Sequence, residues 1–166
     1  MGIEFDWSNF TRKITIPASP DSIINMWLTS DAIESWFLKT AIYHSGEGHK
    51  RVHDEPISKG DRFTWTWYTY DEYAMEGEIL DVVAGQSLSF TFEDCVVTVS
   101  AYPNEGIEGG SILELHQSGI QVDEANKMRV YVGCSGSWMY HMTNLKCYML
   151  TGTDLRSKTT SGVINN

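Results

Sequence analysis

The chain has 166 residues, 42% of them hydrophobic, which is enough for one domain with a real core and a small cavity. Six Trp, eight Tyr and six Phe argue for a large apolar interior and against disorder. Twenty-two acidic and 12 basic side chains give a formal charge of −10. Such a surface repels phosphate backbones and anionic headgroups, so neither nucleic acid nor a membrane is expected as a partner.

The N-terminal stretch MGIEFDWSNF has neither the basic start nor the apolar run of a secretory leader. Cys95, Cys134 and Cys147 are odd in number and widely spaced, which reads as reduced thiols in a cytoplasmic protein. The expected organisation is a single domain over residues 1–156 followed by a flexible polar tail, 157–166.

In chain order, FTRKITI at 10–16 alternates as a first strand, ended by Pro17. SPDSIINMWLTSDAIESWFL then reads as two short helices. Ser19 caps the first, with Pro20 at its opening position, and Ser30 or Asp31 caps the second. From residue 40 to about 117 the period is two: Phe63, Trp65 and Trp67 share one face of a strand, and Leu88, Phe90 and Phe92 share another. Turn chemistry at SGEG, KGD, AGQ and NEGIEGG divides this run into five or six antiparallel strands.

Residues 123–151 read as one long helix stopped by Gly152. An antiparallel sheet that buries one face needs an apolar partner, and this helix is the natural one. The expected fold class is therefore α+β. A curved antiparallel sheet of about six strands wraps around a long C-terminal helix, with two short helices after the first strand.

The segment GCSGSWMYHMTNLKCYM, 133–149, concentrates the reactive side chains. Ser135 sits in a near G-x-S-x-G pattern, but a nucleophile elbow needs a strand turning sharply into a helix, and here the pattern lies inside a helix. At about 100° per residue, Tyr131, Trp138, Met142, Leu145 and Met149 form one buried stripe. Cys134 and His141 lie on its shoulder, within about 60° of Trp138, while Cys147 faces the opposite side at about 180°. No catalytic residue is assigned, since Cys134 reads first as a small core residue and His141 as a polar neighbour of a cavity.

His44, His49 and His53, with Asp54 and Glu55, follow an H-x4-H-x3-H spacing that matches no established metal frame. They read as hairpin polarity around an SGEG tip, so no metal and no cofactor are expected. One helix does not fill the whole concave face of such a sheet, and the space left over is an expected small-molecule site. Its lining is expected to be Trp65, Trp67, Phe90, Tyr131, Cys134, Trp138 and Met142, with His141 as a polar contact.

The order of elements carries short motifs: Trp36-Phe37, Gly60-Asp61 before an aromatic strand, and Gly77-Glu78-Ile79-Leu80. Together they resemble the START-like (SRPBCC) superfamily. More narrowly, Leu115-His116-Gln117-Ser118-Gly119-Ile120 is similar to the family of the activator of heat-shock protein 90 ATPase. So is the pattern Trp138-x3-Met142-Thr143-Asn144-Leu145-Lys146-x-Tyr148-x2-Thr151-Gly152-x-Asp154-Leu155-Arg156. The resemblance implies the helix-grip fold of the birch-pollen allergen. The expected role is binding of a small apolar or amphipathic molecule in the cavity. The family name points to a second, a heat-shock chaperone partner in a stress-response module. Catalysis of the polyketide-cyclase type is a lesser alternative, for which only His141 offers a candidate.

Overall fold

The structure, a computed structural model, describes residues 4–69 and 72–158. Residues 159–166 of the expected tail lie outside that range.

Strand β1 (Asn9–Ile16) is followed by helices α1 (Pro20–Asn25) and α2 (Ser30–Glu34). Ser19 caps α1 through a 3.2 Å bond from the Ser22 N–H. The cap of α2 is Thr29, one residue before the expected pair, accepting from the Ala32 N–H at 3.1 Å. Ser30 and Asp31 are already helical, and Ser30 is buried.

Six strands follow in a meander: β2 (Thr40–His44), β3 (Arg62–Thr66), β4 (Ala74–Val83), β5 (Ser87–Phe92), β6 (Cys95–Pro103) and β7 (Ser111–Ser118). The sheet order is β1-β7-β6-β5-β4-β3-β2, antiparallel throughout, because β1 returns to pair Asn9 with Ser118 and Ile16 with Ser111. There are thus seven strands rather than about six. Every strand of the meander proved long enough to pair, and β1 adds its own edge.

Alternation places Phe63 and Trp65, Leu88 and Phe90, Val97 and Val99, and Leu113 and Leu115 on the inner face. The register slips between Ile79 and Asp81, a bulge of the kind that bends a sheet. Gly77 lets β4 pass close to β3, since a Cβ there would lie 2.3 Å from Phe63 Cζ. The curved, unclosed sheet grips the C-terminal helix as expected for the helix-grip fold.

The C-terminal helical run starts with α3 (Glu124–Asn126), capped by Asp123 through a 3.0 Å bond from the Asn126 N–H. It then winds through one wide π-type turn, Lys127–Val132, before the regular helix α4 (Gly133–Thr151). Gly152 ends α4 in the left-handed conformation with φ 73°.

The buried face of α4 is Ser135, Trp138, His141, Met142, Asn144 and Leu145. Tyr131 does not continue this stripe. The wide turn advances fewer degrees per residue than an α-helix, so a projection back from Trp138 at 100° steps misplaces it. Its ring instead packs on Phe5, Trp7 and Phe10, at centroid distances of 5.6, 5.1 and 5.5 Å.

Candidate functional site

A cavity of about 260 Å³ lies between the first two turns of α4 and the chain around β3, β4 and β5. The sheet side supplies Met75 from β4 and Phe92 from β5, with Trp67, Thr69 and Tyr73 from the β3–β4 connection. Phe37, just after α2, closes the end, and α4 contributes Gly133, Cys134, Ser137, Trp138 and His141. Glu93 and Arg129 stand at the margin.

Four residues of the expected lining come together here: Trp67, Cys134, Trp138 and His141. Trp65, Phe90 and Met142 lie in the core with almost no accessible surface, outside the lining. Trp65 stacks on Phe63 at 4.0 Å and meets Phe90 edge-on at 5.1 Å, so both rings face inward past the cavity floor. Tyr131 lies outside the lining and packs on Phe5, Trp7 and the core residue Phe10.

Among the lining residues outside the expected set, two kinds differ in how far the sequence could have found them. Phe92 shares strand parity with Leu88 and Phe90, and that parity is a usable signal. Glu93 and Arg129 meet across 36 positions, which no local pattern announces.

Electrostatics make the interior of the site neutral. Burial, aided by the nearby Arg156 and partly offset by Asp154, pushes the His141 pKa down to about 3. The ring is therefore uncharged near neutral pH, and its Nδ1 is buried without a hydrogen-bond partner. Burial likewise pushes the Cys134 thiol up to about 11, opposite to the direction that makes a nucleophile. Ser135 is buried in the helix and donates to the Val132 carbonyl at 3.2 Å, which leaves the near G-x-S-x-G pattern in a helical, not an elbow, setting.

The rim is a charge-compensated bridge. Arg129 Nη1 donates to Glu93 Oε2 at 3.2 Å, and Tyr73 Oη donates to Glu93 Oε1 at 3.2 Å. Glu93 is the one non-glycine among the described residues with positive φ, at 50°. A left-handed glutamate in a tight β5–β6 turn is an unfavourable choice for the backbone alone. Its carboxylate nonetheless ties the helix start to the sheet across the cavity mouth.

On the far side of Trp138, its indole N–H donates to Gln117 Oε1 at 2.8 Å, fixing the ring that forms the cavity floor. Phe37 packs on that ring at 5.2 Å and meets His141 edge-on at 4.8 Å.

The histidines of the β2–β3 connection do not converge. His49 Nε2 lies 3.5 Å from Glu55 and His53 Nδ1 lies 3.3 Å from Asp31, while His44 ends β2 opposite Arg62. Arg51 binds both oxygens of the buried Asp61 and also Glu55, so the connection is pinned by an ion-pair network. Among the described residues no group of three or more His, Cys, Asp or Glu could hold a metal ion. Also among the described residues, no helix is long and apolar enough to cross a membrane.

A second polar cluster, which the sequence did not mark as structural, closes the other end of α4. Asn144 Nδ2 donates to the Trp36 carbonyl at 2.7 Å and to Asp154 at 3.0 Å, and its Oδ1 accepts from the Leu155 N–H at 2.7 Å. Arg156 donates to the carbonyls of Leu38 and Glu34 at 3.0 and 2.8 Å and to Asp154 at 2.8 Å. These are the residues of the terminal motif, and they clasp the chain after α4 onto α2.

Comparison with known proteins agrees with this geometry. The model of the Activator of Hsp90 ATPase homolog 1-like protein family matches residues 17–149. Protein SSP2350 from Staphylococcus saprophyticus shares the fold with a TM-score of 0.70 at 15% identity, over 92% of this chain and 98% of that one. DynU16, a protein of the dynemicin biosynthetic locus, aligns with a TM-score of 0.67 at 14% identity, over 92% of this chain but only 51% of its own. The Aha1 dimer structure from Colwellia psychrerythraea aligns with a TM-score of 0.64 at 15% identity, over 87% of this chain and 98% of that one. A search of curated protein sequences found no match. With its family model spanning both short helices, the meander and most of α4, the chain belongs to the Activator of Hsp90 ATPase homolog 1-like family, on a START-like fold.

Proposed function

We propose that this chain is a START-like domain that binds a small hydrophobic or amphipathic molecule between its sheet and its C-terminal helix. One observation carries the reading: an aromatic-walled cavity of about 260 Å³ whose wall includes a neutral, buried histidine with an unpartnered nitrogen. Apolar walls with a few polar groups are the usual form of a small-molecule site. Trp67 and Trp138 form the wall, with Cys134 beside them and His141 as the polar contact. Three unbridged cysteines support the cytoplasm as its compartment.

Native mass spectrometry of freshly expressed protein should show a non-covalent adduct. Aromatic probes should also raise the melting temperature, by an amount equivalent to about 2.7 kcal/mol at one hundred times Kd. Absence of any adduct, together with no shift from any apolar or aromatic probe, would exclude ligand binding.

The family description supports a second reading, an interaction module for a heat-shock chaperone. In that case the domain would stimulate a chaperone ATPase, and the charge of −10 would make the association weaken with salt. An unchanged ATPase rate at saturating domain would dismiss it.

A further inference from the structure

The chemistry of the cavity wall restricts what the site would hold, given the ligand-binding reading above. Size comes first. At about 260 Å³ the space exceeds the ~150 Å³ that accommodates benzene and falls short of the ~300 Å³ at which drug-sized pockets begin. That suits one or two fused rings, not a lipid chain or a steroid.

The walls favour rings over flexible chains. Phe37 and Phe92 flank Trp138 at centroid distances of 5.2 and 5.1 Å, and Phe37 meets Trp67 edge-on at 5.8 Å. Such an arrangement offers both π faces and ring edges, to which another aromatic ring is complementary.

Charge is disfavoured in the guest. The two ionised side chains at the mouth, Arg129 and Glu93, are engaged with each other, and Glu93 also accepts from Tyr73. A carboxylate or an ammonium would have to break that bridge or enter unpaired, and burying an unpaired charge is strongly unfavourable. The net charge of −10 adds a further penalty for anions.

One polar demand remains. His141 lines the cavity; its Nδ1 has no protein partner but is sealed from solvent, so the nitrogen left for a guest is Nε2, which bonds no other described residue. A neutral imidazole has one donor and one acceptor nitrogen, and a hydroxyl can serve either.

From these observations we infer that the ligand class is an uncharged aromatic molecule of one or two rings, carrying a hydroxyl that hydrogen-bonds the His141 imidazole. His141 then sets specificity, while Trp138, Phe37 and Phe92 supply the bulk of the contact.

The test is calorimetric titration of the full chain at pH 7 into 2-naphthol, naphthalene and 2-naphthoate, three probes of matched shape. The naphthol should bind about ten-fold more tightly than naphthalene, a margin appropriate to one buried hydrogen bond. The naphthoate should bind more weakly than either. His141→Phe keeps a ring against Phe37 and removes both nitrogens, so it should abolish the naphthol margin while retaining naphthalene binding. Should that variant not fold, the wild-type series still decides. Equal binding of naphthol and naphthalene, or naphthoate binding tightest, overturns the inference. So does a margin that survives His141→Phe. In each of those cases binding itself persists and the ligand-binding reading stands. Failure of all three probes to bind overturns the inference, and the ligand-binding reading falls with it only if native mass spectrometry also shows no adduct.

Discussion

The two ends of α4 treat buried polarity in opposite ways. At its C-terminal end Asn144, Asp154 and Arg156 pair with one another and with the carbonyls of Glu34, Trp36 and Leu38. Along its N-terminal half the helix emerges from a wide turn and borders a cavity, and at its middle, one turn before Asn144, His141 Nδ1 is left unpartnered. One helix therefore carries both a closed clasp and an open site. Buried polar groups are expensive unless paired, so the paired end reads as structure and the unpaired end as a place for something else.

The largest expected effect breaks the clasp. Arg156→Ala leaves two backbone carbonyls and Asp154 without their main donor in a site where the Arg156 side chain is 5% exposed. The folded state should lose about 3 kcal/mol by urea denaturation, the low end for breaking a buried pair. A loss below about 1 kcal/mol would show that solvent already satisfies that end of the helix.

His141 and Asp154 titrate in different pH windows, although Asp154 and Arg156 also act on the His141 ring. Burial alone would raise the Asp154 pKa, but its bonds from Arg156 and Asn144 outweigh this and hold it well below the usual aspartate range. Its contribution is complete above the ordinary aspartate value of ~3.9 and is lost as pH falls through the lowered folded value. His141 acts earlier. Its ordinary value is 6.5 and its folded value about 3, so between them the unfolded chain takes up a proton that the folded chain refuses. Stability should therefore decline from about pH 6.5 downward. His141→Phe should flatten the loss above pH 4 and Asp154→Asn the loss below it, as read from urea midpoints across pH. A single acid transition unchanged by either substitution would contradict the division.

The smallest effect belongs to the rim. Glu93→Gly relieves a left-handed glutamate but removes the tie from Tyr73 and Arg129, and these act in opposite directions. Stability should change by less than about 1 kcal/mol. Probe association monitored by tryptophan fluorescence should nonetheless quicken. Equal rates in both proteins would mean that the bridge does not guard the mouth.

Much of the fold was legible because it rests on short-range rules. Ser19 and Pro20 open α1, Gly152 closes α4, and the period of two from Phe63 to Leu115 gives the inner face of the sheet. Half of the expected lining also follows from local rules: Trp138, Cys134 and His141 keep helical spacing within regular α4, and Trp67 extends the aromatic parity of β3. The remainder lies outside the cavity for identifiable reasons. Tyr131 sits in the wide turn before Gly133, where 100° steps no longer hold, and its ring goes to Phe5, Trp7 and Phe10 instead of the cavity. Trp65 and Phe90 have the right strand parity and Met142 the right helix face, but all three are buried in the core, and neither pattern says how deep a residue lies.

By itself, the sequence determined the elements, which residues of each strand share a face, and the presence of one surplus of aromatic side chains. Those properties depend on residues within a turn or two of one another. Which aromatics fill the core and which border empty space was decided only by the tertiary structure, because it depends on the curvature of the sheet around α4. The same holds for Glu93 meeting Arg129, and for Arg156 reaching back to Glu34 and Leu38. A cavity is the space that distant segments leave between them, and no local stretch of chain encodes it.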